Sequence, residues 1–256
     1  MDPSVTTDHF LDHGIVVQQF AGSGHRSGLD AIMLAATVPK EIDGRVADIG
    51  AGAGVVGMAI AHRCLDAKVD LFEIDAGLST LSSQSIGLPH NHHLAGRVAS
   101  HMGDVAVAAD LLATAGQKPG SYACIVANPP YNDKSHRTSP DPRKSAAHMA
   151  QPATAQTWVK AAAQMAAHRG LLALILRPEN LQQWMAAAQK SFGGVVILPL
   201  HSRANKPASR VLIGATKNSR AALKLLPPLV LHNADGSNTP EAEDILRGRG
   251  SINLFS

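Results

Sequence analysis

A chain of 256 residues that is 45% hydrophobic and 17% charged carries enough apolar surface for one sizeable α/β core, which excludes a disordered polypeptide. No apolar run is long enough to span a bilayer, and Met1-Asp2-Pro3-Ser4 lacks the basic and apolar regions of a signal peptide, so a cytoplasmic protein is expected. The net charge of +3 divides unevenly: residues 1–120 hold 7 Lys/Arg against 13 Asp/Glu and residues 121–256 hold 16 against 7, a one-sided basic excess that suits a polyanionic partner.

In chain order, residues 1–20 offer only a possible short strand, Gly14 to Gln19. Gly22 to Gly28 reads as a flexible segment. A helix from about Leu29 to Val38 stops at Pro39, with Ser27 or Asp30 as its cap. Arg26 at the helix start is a candidate contact for a zwitterionic ligand, whereas Asp30 reads as a capping residue.

Gly44-Arg45-Val46-Ala47-Asp48-Ile49 then forms a strand, Gly50-Ala51-Gly52-Ala53-Gly54 a glycine-rich turn, and Val55 to Cys64 a helix. This unit lets backbone approach a ligand closely and presents free N–H groups at the helix start. The next strand, Lys68 to Glu73, ends in a carboxylate placed to accept hydrogen bonds from ribose hydroxyls. Gly52 to Gly57 also fits the dinucleotide pattern G-x-G-x-x-G. Asp48 argues against that reading, because a carboxylate there opposes a pyrophosphate but suits a ligand carrying positive charge.

A helix over 76–86, a loop Pro89-His90-Asn91-His92-His93 and a strand over 97–102 follow. The loop histidines read as exposed side chains, not as metal ligands, and Cys64 and Cys124 as reduced core residues. Asp104 either accepts a hydrogen bond from an adenine amino group or caps a helix over 105–115. The strand 121–127 ends in Asn128-Pro129-Pro130-Tyr131. Two prolines stiffen that rim. The Asn128 amide oxygen and the Pro129 carbonyl suit an –NH2 group on a planar ring, on which Tyr131 can stack.

Residues 132–150 form a long basic loop with Lys134, Arg137, Arg143 and Lys144, placed like a substrate clamp beside the rim. Helix 153–168, strand 170–176, helix 178–190 and strands 194–200 and 211–215 continue the alternation, with extended chain over 223–232 and a short helix or tail over 236–250. Between Glu179 and Asp235 there is no acid, while Arg203, Lys206 and Arg210 lie in that interval. Alternating elements of this kind predict an α/β doubly wound, mostly parallel sheet with ligands outside the carboxyl ends of its strands.

Val46 to Gly54, Glu73, Asp104 and Asn128-Pro129-Pro130-Tyr131 together resemble the class I S-adenosylmethionine-dependent methyltransferases. The resemblance implies a Rossmann-like seven-stranded sheet in one methyltransferase domain, with 1–43 an N-terminal extension, 44–215 the catalytic core and 216–256 a C-terminal tail. It implies S-adenosyl-L-methionine as cofactor, held by Arg26, Asp48, Gly50, Ala51, Gly52, Gly54, Glu73, Ile74, Gly103, Asp104 and Asn128. Asn128, Pro129, Pro130 and Tyr131 are then the catalytic rim. Gly24 to Ala35, the loop through His148, Arg177-Pro178-Glu179 and Ala204 to Val211 are similar to the bacterial tRNA adenine-N6 methyltransferases that act beside the anticodon of a valine tRNA. That likeness implies tRNA as partner, with Lys134, Arg137, Arg143, Lys144, Arg203, Lys206 and Arg210 on its phosphates, no metal, and a monomer. Methylation of rRNA or DNA bases, or of a protein glutamine, is the alternative; a nicotinamide oxidoreductase is the remoter one.

Overall fold

The alternation resolves into three layers in the computed structural model, which describes residues 4–21, 28–130 and 154–255. The elements are β1 (Val5–Phe10), β2 (Ile15–Phe20), α1 (Leu29–Ala35), β3 (Gly44–Ile49), α2 (Val55–Arg63), β4 (Ala67–Glu73), α3 (Ala76–Ile86), β5 (Val98–Met102), α4 (Ala108–Thr114), β6 (Tyr122–Ala127), α5 (Ala155–Met165), β7 (Ala166–Leu176), α6 (Leu181–Ala188), β8 (Phe192–His201), β9 (Ala208–Lys217), β10 (Lys224–Leu225), β11 (Leu229–Val230) and α7 (Pro240–Leu246).

The central sheet has the order β10-β8-β9-β7-β6-β3-β4-β5, with β11 also paired to β8. All neighbours are parallel except β9, which runs antiparallel to both β7 and β8. The sheet is therefore nine-stranded and not seven-stranded. The two extra strands are two-residue pieces of the C-terminal region, which cover the otherwise open edge of β8. After β5 the chain crosses back to place β6 on the other side of β3, so the order of winding reverses between β3 and β6. Ligands of such sheets sit above that reversal.

Apolar runs buried on both faces explain the central strands. One face packs α1, α2 and α7 around Ile32, Leu34, Met58, Ile60 and Ile245. The other packs α4, α5 and α6 around Leu111, Trp158, Met165 and Trp184. Asp70, 2% exposed, ties four strands together by accepting hydrogen bonds from Arg45 (2.6 Å), His101 (2.9 Å) and the Tyr122 hydroxyl (3.0 Å). No helix among the described residues is long and apolar enough to cross a membrane.

Local corrections are informative. Residues 4–20 form a hairpin, β1–β2, whose turn places Leu11, Asp12 and His13 at positive φ. The segment Pro89–Leu94 is a 3₁₀ helix, not a loop. It buries Asn91, whose amide donates to the Val16 carbonyl (2.6 Å) and accepts from the Val16 N–H (3.0 Å). One side chain thus replaces a missing neighbouring strand beside β2. Pro178–Asn180 is a 3₁₀ turn ahead of α6. Cys64 and Cys124 are buried free thiols, and burial pushes both of them up from the ordinary thiol range.

The C-terminal region is bound into the same core by one cation. Arg63, 8% exposed at the end of α2, donates to the carbonyls of Ala35, Ala36 and Val38 after α1, and to the Gly250 carbonyl and the Ser251 hydroxyl. It closes the carbonyl end of α1 and anchors the C-terminal segment with a single fork of donors. Arg63→Met is expected to lower unfolding free energy by roughly 2–4 kcal/mol, since several buried carbonyls lose a charged donor at once. Urea denaturation monitored by circular dichroism measures this, and a loss within error of zero contradicts the role.

Candidate functional site

The pairing of β3 with β6 sets Asp48 opposite Val126. The glycine turn beginning at Gly50 and the rim beginning at Asn128 therefore leave the sheet side by side, at equivalent positions of neighbouring strands. Gly50, Gly52 and Gly54 have φ of 71°, 58° and 90°, so only glycine turns the chain there without strain. At Gly50 the need is also steric: a Cβ would come 2.4 Å from Cη2 of Trp158, on α5. At Gly52 a Cβ would meet nothing within 4 Å. The turn thus leaves open space over Gly52, a cradle of the kind a ligand fills.

Glu73, at the end of β4, closes one side of that cradle. Its Oε2 accepts the Gly52 N–H (2.7 Å) and its Oε1 the Asp75 N–H (2.9 Å). Burial pushes the Glu73 carboxyl up, while the N–H groups of Asp75, Gly52 and Ile74 hold it down. Gly103, just past β5, donates its N–H to the Glu73 carbonyl (2.9 Å). At this corner, where Glu73 pairs with Met102, two apolar side chains stand in solvent, Ile74 at 54% and Met102 at 60% exposure; Val107, ahead of α4, is 44% exposed. An aromatic ring inserted at the corner would cover Ile74 and Met102. In the sequence Ile74 entered only through the family resemblance. Met102 and Val107 did not enter, although an apolar residue directly before Gly103-Asp104 was the available signal.

Asp48 faces inward. It is 1% exposed and its Oδ2 accepts the Gly57 N–H (2.9 Å), in the first turn of α2. A carboxylate there satisfies an orphan donor and complements the helix dipole. Burial, with Glu73 adding repulsion against the Gly57 hydrogen bond, raises the Asp48 carboxyl to about 7. Its action on a ligand passes through the glycine turn that it braces.

Asp104 does not cap a helix. Its Oδ1 accepts the Ala106 N–H (2.8 Å) in a turn, and α4 begins three residues later than expected, capped by Val107. Asp30 is likewise no cap: Gly28 holds that position, and Asp30 pairs with Arg210 Nε at 2.7 Å. That pair joins α1 to the start of β9. On the rim, Asn128 is half-buried, Pro129 buried and Pro130 exposed. Arg203 and Lys206 are exposed in the turn between β8 and β9. Because β8 runs parallel to the central strands, this turn rises from the same edge of the sheet as the glycine turn and the rim. Arg26, Ser27, Tyr131, Lys134, Arg137, Arg143, Lys144 and His148 lie outside the described residues. Among the described residues no group of three or more His, Cys, Asp or Glu is arranged to hold a metal ion; His62 and His93 instead share a hydrogen bond of 3.0 Å.

With this geometry in hand, comparison with known proteins identifies the family. The model of the methyltransferase small domain matches residues 26–198. The chain belongs to that family. A crystal structure of a predicted O-methyltransferase from Agrobacterium tumefaciens superposes with a TM-score of 0.75 at 31% identity, covering 88% of this chain and 98% of that one. Curated relatives are named tRNA1(Val) (adenine(37)-N6)-methyltransferase: one from Yersinia pseudotuberculosis is 26% identical over 84% of this chain and 81% of its own length. Another, from Pectobacterium carotovorum, is 26% identical over 75% of each chain. The fold also matches that of M. jannaschii TYW2 in complex with AdoMet, at a TM-score of 0.56 and 11% identity. The chain is an S-adenosylmethionine-dependent methyltransferase, and the open glycine cradle, the buried carboxylates and the exposed apolar corner fit that cofactor's charge and adenosine.

Two substitutions separate support of the turn from contact with the cofactor. Gly50→Ala is expected to lose several kcal/mol of stability, from positive φ plus the clash with Trp158. Gly52→Ala costs about 1–2 kcal/mol of strain but at least tenfold in S-adenosylmethionine affinity, because its methyl group enters the cradle. Thermal unfolding and calorimetric titration measure the two effects, and equal affinity loss without filled space, or none at Gly52, contradicts the placement. A pH series tests Asp48. Its proton is retained in the folded chain up to about pH 7 but leaves the unfolded chain near its ordinary 3.8. This group's contribution to stability is therefore greatest at low pH and falls as pH rises between those values. Asp48→Asn keeps an acceptor for Gly57 and should flatten that slope; an unchanged slope contradicts the buried proton.

Proposed function

We propose that this chain methylates the N6 amino group of an adenine in tRNA, the adenine beside the anticodon of a valine tRNA. The observation that carries the reading is the rim of Asn128, Pro129 and Pro130 standing next to the glycine cradle at the reversal of the sheet. The names of the curated relatives support this acceptor.

When bound, S-adenosyl-L-methionine supplies a methyl group on positively charged sulfur, already activated for displacement. Arg26, Gly50, Ala51, Gly52, Gly54, Glu73, Ile74, Gly103 and Asp104 hold it in this reading, Asp48 supports them from beneath by bracing the start of α2, and Asn128 faces the donor. An aromatic amine is a poor nucleophile, since its lone pair is delocalised into the ring. Asn128 Oδ1 and the Pro129 carbonyl accept its two N–H bonds, orient the lone pair and stabilise the positive charge that nitrogen gains. The proton departs to water after transfer, so no strong base is required. Pro130 keeps the rim stiff and Tyr131 stacks on the base. The adenine must leave its stack, which costs a few kcal/mol and less in a single-stranded loop. Lys134, Arg137, Arg143, Lys144, Arg203, Lys206 and Arg210 hold RNA phosphates; Arg210 does so while paired with Asp30.

The reading takes residues 1–256 as one methyltransferase domain, a cytoplasmic monomer that needs no metal. It treats 1–43 as an N-terminal extension and 216–256 as a tail of the core 44–215, and the hold of Arg63 on Gly250 supports placing the tail with that core. The similar Agrobacterium protein, a predicted O-methyltransferase, raises an oxygen acceptor as a second reading. Against it stand two acceptors on the rim, which suit a group with two N–H bonds. Tritiated methyl transfer to unmodified tRNA, followed by nucleoside analysis, is expected to yield N6-methyladenosine at the position beside the anticodon. A 2′-O-methyl product, or a labelled protein glutamine with no labelled RNA, overturns the acceptor assignment. Asn128→Ala should lower transfer at least about a thousandfold while leaving cofactor affinity within about threefold; loss of both together contradicts its role.

A further inference from the structure

A second basic site lies at the opposite edge of the sheet. The outward faces of α5 and α6 and the end of β9 enclose an open cleft of about 540 Å³. Its charged lining is Lys160, Lys190 and Lys217; its polar lining includes Gln156, Gln164 and Asn218, and no carboxylate contributes. Lys160 and Lys190 are exposed and, among the described residues, have no carboxylate partner. Lys217 is half-buried and fixed, donating to the Ala166 carbonyl at 2.6 Å. One of its three donors is used, so its charge stays available at a set point of the floor.

The position follows from the strand pairing. Lys217 ends β9 and is paired with Phe192, which begins β8. The cleft therefore sits at the amino edge of the sheet, whereas Arg203 and Lys206 sit beyond the carboxyl end of β8. The ten residues of β8 separate the two, about 30 Å along a strand. Arg169, at the start of β7, and Arg220 are exposed at the same amino edge. Three ammonium groups gathered without a counter-ion repel one another, and a bound polyanion relieves that repulsion. Phosphate is the matching chemistry: Lys binds it as a point charge, and the glutamine and asparagine amides add neutral donors.

We propose that this cleft holds backbone phosphates of the RNA substrate, at a point remote from the base that is methylated. The inference rests on tRNA being the acceptor. It makes the protein grip the RNA at both edges of the sheet, a span that a nucleic-acid duplex covers in about one turn. Recognition then requires more of the RNA than its anticodon loop. The contact is to backbone, so it adds affinity and not sequence preference.

The test is equilibrium binding of the full chain to unmodified full-length tRNA and to a short anticodon stem-loop fragment, across about 50–200 mM salt. The double variant Lys160→Gln/Lys190→Gln should bind full-length tRNA roughly tenfold more weakly, with a salt slope shallower by about one to two. Its thermal midpoint, its S-adenosylmethionine affinity and its binding of the fragment should not change. Lys160→Arg/Lys190→Arg should restore tRNA binding. Unchanged tRNA affinity and slope overturn the proposal, and so does an equal loss on the fragment, which cannot reach the far edge. Inorganic tripolyphosphate supplies the other arm: if it binds the wild type and not the variant while tRNA binding is intact, the cleft serves a free phosphate compound and the RNA assignment falls. Binding is read in place of methyl transfer, so a chain that holds tRNA through the cleft yet makes no N6-methyladenosine refutes the acceptor assignment and not this one.

Discussion

The parallel pairing of β3 with β6 is the constraint on which the site depends. Asp48 opposite Val126 brings a glycine-lined turn and a proline-lined rim to one point. The first leaves room beside backbone N–H groups; the second offers an amide and a carbonyl on backbone stiffened by two prolines. Neither is a site alone. The crossover from β5 to β6 joins them, since it places strands far apart in sequence next to each other at the reversal of the sheet.

Buried side chains brace the glycine side of that meeting point. Glu73 holds Gly52, Asp48 holds the first turn of α2, and Trp158 fills the space that any side chain at Gly50 would need. Preorganisation of this kind is costly. Two carboxylates are kept close together out of water, and both are pushed toward protonation. Such a pair suits a ligand bearing positive charge, which stabilises the ionised forms. It suits a pyrophosphate poorly, and that is the physical reason the dinucleotide pattern from Gly52 to Gly57 misleads. Gly57 is there for packing: a Cβ on it would come 2.1 Å from Leu71.

The central strands, the glycine turn and the end of β6 at Asn128-Pro129-Pro130 were readable because each has a strong local signal: long apolar runs, clustered glycines, paired prolines. The β1–β2 hairpin was not, because Val5-Thr6-Thr7-Asp8-His9-Phe10 is half polar and its turn uses Leu11, Asp12 and His13 at positive φ in place of glycine. The 3₁₀ helix at Pro89–Leu94 escaped notice for a related reason. Asn91 is buried by its bonds to Val16, a tertiary effect that a run of histidines conceals. Asp30 and Asp104 looked like caps by spacing, yet a distant arginine claims one and a tight turn the other. The lysine cleft is invisible in sequence because Lys160, Lys190 and Lys217 come from three elements.

On the proposed mechanism, donor and acceptor meet between the turn and the rim. A crystal structure of the protein with S-adenosylhomocysteine addresses it most directly. The account predicts the ligand's amino acid end over Gly52, its ribose on Glu73, its adenine against Ile74 and Met102, and its sulfur turned toward Asn128. A ligand bound elsewhere, or in the same cradle with its sulfur turned away from the rim, contradicts the account.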